Sequence, residues 1–113
     1  MTDYLQGVDL STNTATNKNE YNRIYEWYIN NKLHRLDGPA FIDGKKKIYL
    51  WSQDGKPHRL DGPAYINEKD KRYIWGIHGN NKTDEITKWL TDNEIDWRNM
   101  SMEEKVLLKV VFG

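Results

Sequence analysis

The chain has 113 residues and a mass of 13.4 kDa, which is the size of one domain. Its 17 basic residues balance 17 acidic ones, so no strong overall charge draws it to nucleic acid or to an anionic membrane. It has no cysteine and no apolar run long enough to span a bilayer, which argues against disulfides, thiolate metal sites and a membrane helix. Residues 1–3 lack the basic start of a signal peptide, so we expect a cytoplasmic protein.

Aromatic residues are frequent for so polar a chain. Five Trp, seven Tyr and two Phe stand in a sequence whose mean hydropathy is −0.93. Disordered polar segments are usually poor in aromatic residues. We therefore expect a folded domain built around these rings.

A 24-residue repeat is the most specific feature of the sequence. The segment HRLDGPA occurs at residues 34–40 and returns unchanged at 58–64. A Tyr-x-Trp triplet opens each copy, at Tyr25, Tyr49 and Tyr73. A fixed period of this length is typical of repeat architectures with atypical terminal units.

Each copy divides into two strand-like runs separated by turn residues. In the second copy, residues 49–53 end at the tight-turn pair Asp54-Gly55, and residues 64–67 follow a proline that is expected to mark a strand entrance. The sequence thus predicts an α+β fold. An antiparallel β-meander of about five strands, built from 24-residue hairpin repeats, precedes two short C-terminal helices.

Three regions are expected along the chain. Residues 1–20 are polar and lack periodicity, which predicts a flexible or irregular N-terminal arm. Residues 21–82 are predicted to form the repeat-built sheet, and residues 83–113 a helical cap. In that cap, Thr83 is expected to N-cap the first helix, and Ser101 starts a capping box before the second.

The last apolar run is too apolar for one buried helix face. Six of the seven residues in 106–112 are apolar. We expect part of this run, Val111 and Phe112 above all, to lie in an intermolecular contact.

Alternation along the strands places the aromatic residues of each copy on one face of the sheet. We expect this face to be the core, with Phe41 and Tyr65 filling the rows between the tryptophans. The alternative is an exposed platform that stacks bases or sugars, in which Trp51 and Trp75 belong to a binding surface.

The repeated motif resembles tandem repeats of bacteriophage and giant-virus proteins, written W-Y-x-N-G-K-x-H-R-x-D-G-P-A and distantly similar to MORN repeats. The resemblance covers about residues 22–93, although Asn31 replaces the usual glycine and the third copy lacks the HRxDGP segment. It implies a β-hairpin repeat without known catalytic residues, in a small viral protein. The matching residues are Trp27, Tyr28, Asn30, Lys32 and 34–40 in the first copy, then Trp51, 54–56 and 58–64 in the second.

The histidines and aspartates of the motif are the only candidates for acid–base or metal chemistry. In an extended segment, however, Arg35 and not His34 shares a face with Asp37. We expect a structural corner in which Asp caps the turn, Arg pairs with it and His bonds a neighbouring backbone carbonyl. No catalytic residue, metal or cofactor is predicted. The structural motif is His34, Arg35, Asp37, Gly38 and Pro39, repeated as His58, Arg59, Asp61, Gly62 and Pro63.

Lysines cluster in the middle of the chain, at Lys45, Lys46 and Lys47, and residues 44–72 hold eight basic and four acidic side chains. Lysines in hairpin turns usually solvate the turn and protect sheet edges. The alternative is a surface that follows phosphates beside aromatic rings.

A non-enzymatic protein-binding module is the function that the sequence favours, because no catalytic group stands out and repeats build extended surfaces. The resemblance adds the viral origin, so we expect a small phage accessory protein in the host cytoplasm. The host protein that it binds and modulates is expected to be a defence or regulatory protein. The alternative is a binder of single-stranded nucleic acid or nucleotides through the aromatic and lysine-rich sheet face. Homo-oligomerisation is left open, and no membrane partner is expected.

Overall fold

The computed structural model describes residues 15–113, which form short β-strands followed by two α-helices. This is the α+β arrangement that the sequence predicted. No helix within these residues is long and apolar enough to cross a membrane. The strands are β1 Asn17–Asn19, β2 Ile24–Glu26, β3 Tyr28–Ile29, β4 Lys32–Leu33, β5 Phe41–Asp43, β6 Ile48–Leu50, β7 Ser52–Gln53, β8 Lys56–Pro57, β9 Tyr65–Asn67, β10 Arg72–Ile74, β11 Gly76–Ile77 and β12 Asn80–Asn81; the helices are α1 Thr83–Asp92 and α2 Met102–Phe112, with a 3-10 turn at Trp97–Asn99 between them.

The strands form one large sheet and three small ribbons. The large sheet is antiparallel and has the order β1-β2-β5-β6-β9-β10, while β3-β4, β7-β8 and β11-β12 pair only with each other. The predicted antiparallel meander of about five strands is present as β2, β5, β6, β9 and β10, and β1 adds a sixth strand. The three ribbons were not predicted, and they arise because each first run is split at its tryptophan. Trp27 and Trp51 donate their backbone N–H groups to Ala40 and Ala64, and the preceding Pro39 and Pro63 have no N–H with which to continue the ladder.

The N-terminal strand corrects the predicted arm. Residues 17–19 form β1 and pair with β2, and Ala15 is buried in the core. The remainder of the arm, residues 1–14, lies outside the described residues. Pairing with an exposed strand edge, rather than any apolar pattern of its own, places this polar segment in the sheet.

One face of the large sheet is the core. A single cross-strand row runs through Tyr25, Ile42, Tyr49, Ile66 and Tyr73. The two isoleucines and Tyr49 are buried together with Trp27 and Trp51. Phe41 and Tyr65 were expected between the tryptophans, but they lie one residue away from this row and point to the opposite face.

The ribbon turns explain the asparagine that replaces glycine in the first copy. Both central residues of each turn have positive φ, as type I′ hairpin turns require. Asn tolerates this left-handed backbone better than most residues, so Asn31, with φ of 63°, can occupy the place that Gly55 and Gly79 take in the later copies.

The two helices pack on the third ribbon and bury Trp75 and Ile77 beneath Ile86, Leu90 and Leu108. The predicted capping box at Ser101 is confirmed, because Ser101 and Glu104 bond each other's backbone N–H.

Thr83, expected to cap α1, does not do so. Its hydroxyl accepts the backbone N–H of Trp75 at 3.0 Å and donates to Asn81, so it ties the helix start to the third ribbon.

Candidate functional site

The motif arginines lie over the tryptophan rings of their own copies. The Arg35 guanidinium carbon is 3.9 Å from the centre of the Trp27 ring, and that of Arg59 is 3.8 Å from the Trp51 ring. A desolvated guanidinium on an indole face is attracted by the ring quadrupole. Each motif therefore fixes the position of a core tryptophan.

The Arg–Asp pairing predicted from the spacing is confirmed. Arg35 Nε donates to Asp37 Oδ1 at 2.9 Å, and a terminal nitrogen donates to the Pro39 carbonyl at 3.1 Å. Arg59 makes the same bonds to Asp61 and Pro63 at 2.8 and 3.1 Å.

The glycine of the motif makes room for the guanidinium. A Cβ atom at Gly62 would lie 2.6 Å from Arg59 Cζ, and one at Gly38 would lie 3.0 Å from Arg35 Cζ. An alanine methyl group at either position would clash with the guanidinium, whose other side already contacts the tryptophan ring. The motif needs glycine here for close approach and not for an unusual φ.

The motif histidines join neighbouring copies, which differs from the sequence expectation. His34 Nδ1 accepts the backbone N–H of Asp54 at 3.0 Å, and His58 Nδ1 accepts that of His78 at 2.9 Å. The expected partner was a backbone carbonyl, whereas the histidine is the acceptor. Each donor is the first positive-φ residue of the next ribbon turn, so each histidine holds that turn in place.

The second histidine, His58, also has an aromatic neighbour. The rings of His58 and His78 stack with centres 4.3 Å apart. Burial, and then the nearby charge of His78, lower the pKa of His58 below its usual value. Neutral His58 can keep Nδ1 as an acceptor for the His78 N–H.

The motif side chains are engaged with each other and with the backbone. Asp37 and Asp61 bond their arginines, so neither carboxylate orients the histidine of its own motif. Over residues 15–113, no three His, Asp or Glu side chains converge in a way that would hold a metal ion. We interpret both copies of the motif as structural corners.

Trp51 and Trp75, offered by the sequence as parts of a binding surface, are buried. Their exposed fractions are 9% and 2%. The expectation that the tryptophan face is the core is confirmed. The alternative prediction, that Trp51 and Trp75 form an exposed platform for bases or sugars, is wrong. Their burial follows from the arginine above one ring and the helical cap above the other.

The opposite, outer face of the large sheet carries apolar side chains of intermediate burial, neither fully buried nor freely exposed. One cross-strand row on this face is Glu26, Phe41, Leu50, Tyr65 and Ile74. The last three of these also line an apolar cavity of about 240 Å³ where the sheet meets the second and third ribbons. The alternation of side chains along β5 and β9 could have predicted this outer row if Phe41 and Tyr65 had been assigned to the outer face.

The helix α2 presents the largest group of exposed apolar side chains among the described residues. Phe112 was expected in an intermolecular contact, but it is partly buried and packs edge-to-face on Trp89, with ring centres 5.8 Å apart. Val111, by contrast, is 54% exposed. The other exposed members are Met102, Val106, Leu107 and Val110.

A polar cluster joins the cap to the sheet, and no sequence pattern pointed to it. The Arg98 guanidinium lies 3.3 Å from Glu68 Oε1 and donates to the Tyr73 hydroxyl at 2.8 Å. The Glu68 side chain is almost fully buried. These partners are 30 and 25 residues apart in sequence.

Comparison with protein-family models, curated proteins and solved structures gives no match to this chain. Its function is therefore argued from the surfaces described above.

Proposed function

We propose that this protein is a non-enzymatic protein-binding module whose contact surface is the exposed apolar face of α2. The observation that carries the proposal is this group of five side chains, Met102, Val106, Leu107, Val110 and Val111, each more than half exposed on one short helix. Scattered exposed apolar residues are ordinary, but a contiguous apolar patch on a small domain marks an interaction site.

The exposed stripe is not needed to hold α2 in place. Leu108 is completely buried and Phe112 packs on Trp89, so these two anchor the helix on the cap. Met102, Val106 and Val110 follow at four-residue spacing along the other side, which is the pattern of a helix that inserts into a groove on a partner.

The motif geometry supports a binding role over an enzymatic one. The arginines, aspartates and histidines of both copies are used in contacts that position tryptophans and ribbon turns. The motif aspartates bond arginine, so neither of them orients the histidine of its own copy.

We further infer that residues 25–78 are a tandem repeat whose units stack through the histidine contacts. Equivalent strands and equivalent side-chain bonds at 24-residue intervals support this inference. The resemblance to phage and giant-virus repeats makes a bacterial host protein the partner that we propose, encountered in the host cytoplasm.

The test compares proteins captured from a bacterial lysate by the parent chain, by Val106→Asp/Val110→Asp and by Thr87→Asp/Thr91→Asp. The last places the same two negative charges, at the same spacing, on the exposed side of α1 and serves as the matched control. We expect a discrete partner to be captured by the parent and the control and lost with the α2 variant. Equal capture by all three would remove α2 as the surface. Sedimentation of the purified parent would show whether that surface is occupied by a second copy instead.

A further inference from the structure

Three basic turns lie side by side at one end of the large sheet. They connect β1 to β2, β5 to β6 and β9 to β10, at residues 20–23, 44–47 and 68–71. Gly44 donates its N–H to the Arg23 carbonyl and Glu68 donates to that of Lys47, so the turns touch in sequence order. We call this feature the turn ridge.

The turn ridge concentrates positive charge that the zero net charge of the chain conceals. Its residues, with the flanking Asp43 and Arg72, include seven basic and four acidic side chains. Of the acidic four, Glu68 is buried against Arg98, Glu20 pairs with Lys18 at 3.4 Å, and Asp43 accepts the backbone N–H of Lys46. The exposed lysines Lys45, Lys46 and Lys47 form the centre of the ridge.

The outer sheet face begins directly beside the ridge. Phe41 and Tyr65 stand in one cross-strand row two strands apart, which places them roughly 10 Å from each other. They are two residues from the strand ends at the ridge, or about 7 Å along the strands. Trp97 of the cap packs on Tyr73 of the inner row, so the cap lies on the other side of the sheet.

We propose that the turn ridge and the outer sheet face together bind single-stranded nucleic acid. Phosphates would follow the ridge lysines, and bases would stack on Phe41 and Tyr65, with the apolar cavity beside Tyr65 open to a base. Cationic grooves beside aromatic rings bind single strands in this way because every base offers a flat face. A duplex keeps its bases stacked on each other and would meet only the lysines.

The turn ridge and the outer sheet face are separate from the exposed apolar face of α2, to which the proposed function assigns partner binding. The variant Val106→Asp/Val110→Asp changes α2 alone, so it should bind a single strand as tightly as the parent. Loss of partner capture and loss of nucleic-acid binding are therefore distinguishable results.

Fluorescence anisotropy with a labelled mixed-sequence single strand of about 20 nucleotides, and with its duplex, tests the proposal at about 50 mM salt. We expect the single strand to bind at least about tenfold more tightly than the duplex. The variant Lys45→Gln/Lys46→Gln/Lys47→Gln should bind at least about tenfold more weakly, and its slope of log affinity against log salt should be shallower by about 2.

The matched charge control is Lys88→Gln/Lys105→Gln/Lys109→Gln, which removes three lysines from the helices. It should retain affinity within about twofold of the parent. Stacking on the Tyr65 ring is tested with Tyr65→Leu, which keeps an apolar side chain and should weaken binding about 5- to 150-fold, the usual range for one stacked base. Circular dichroism establishes that each variant is folded.

Four results would overturn the proposal. These are no binding of the single strand, equal binding of the duplex, equal losses in the two lysine variants, and unchanged affinity in Tyr65→Leu. A dimer that dissociates in Tyr65→Leu would assign the outer face to a second copy of the chain.

Discussion

At the scale of single residues, the motif acts through the contacts of arginine with tryptophan. A planar guanidinium can cover a ring and still direct its N–H groups sideways to a carboxylate and a carbonyl. Lysine would supply the charge but neither the flat contact nor the fork of donors. This is why Arg35 and Arg59 can be buried or nearly so while each donates to a carboxylate and to a carbonyl.

Identical motif residues acquire different properties from their neighbours. His34 faces the turn that contains Asp54, whose Oδ1 lies 3.5 Å from Nδ1, whereas His58 faces the ring of His78. The residue 20 positions ahead therefore decides whether the motif histidine meets an acidic group or a second imidazole.

We predict that the stability of the domain falls as the pH drops from 7.5 to 5.5, with a contribution from His58. Its pKa in the folded protein is lowered, first by burial and second by His78. Below about pH 6.5, the unfolded chain takes up a proton at this position that the folded chain resists, so protonation favours unfolding. Urea unfolding at several pH values measures the effect.

The matched variants are His58→Gln and His34→Gln. The first should have a smaller loss of stability over this pH range than the parent, since it removes the lowered pKa. The second removes the equivalent acceptor but leaves the stacked pair in place. If both variants retain the full loss seen in the parent, His58 is not its source.

At the level of elements, α2 has one side that packs on the cap and another side that is exposed. Its capping box and the buried Leu108 define where it begins and how it docks. Its other side carries five apolar residues that are each more than half exposed. Apolar residues therefore lie on both the buried and the exposed side of this helix.

We predict that Phe112 and Val111 differ in their effect on stability, although they are adjacent. Phe112→Ala should lower the free energy of unfolding by about 1–3 kcal/mol, because the ring packs on Trp89. Val111→Ala should change it by less than about 0.5 kcal/mol. Chemical denaturation measures both, and equal losses would mean that Val111 belongs to the core.

At the scale of the whole molecule, the sheet and the helical cap are joined by a few residues around the 3-10 turn. Trp97 packs against both core clusters, and its neighbour Arg98 reaches the buried Glu68. A buried carboxylate requires such a partner, because an uncompensated charge away from water is costly.

We predict that Arg98→Met destabilises the protein by about 2–3 kcal/mol, somewhat below the usual cost of breaking a buried pair because the Arg98 side chain is 32% exposed. The double variant Glu68→Leu/Arg98→Met should recover much of the loss, since no charge is then left buried without its partner. Thermal or urea unfolding of the four chains tests this cycle. A double variant less stable than Arg98→Met would contradict this account.

Features that depend on residues close together in the chain could be predicted from the sequence. The Asp-Gly turn, the capping box at Ser101 and the pairing of Arg35 with Asp37 each join residues two to four positions apart, where local geometry leaves few alternatives. The burial of the aromatic face followed from composition, because so polar a chain has few other groups with which to build a core.

Three features could be read only from the folded chain: the separate ribbons, the side of β5 and β9 that faces the core, and the place of the polar segment at residues 17–19. A shift of one residue moves every side chain of a strand to the other face, and short strands of mixed composition do not specify that choice locally. The same holds for Phe112 and for the bond between Arg98 and Glu68. Their partners are distant in sequence, and only the folded chain brings them together.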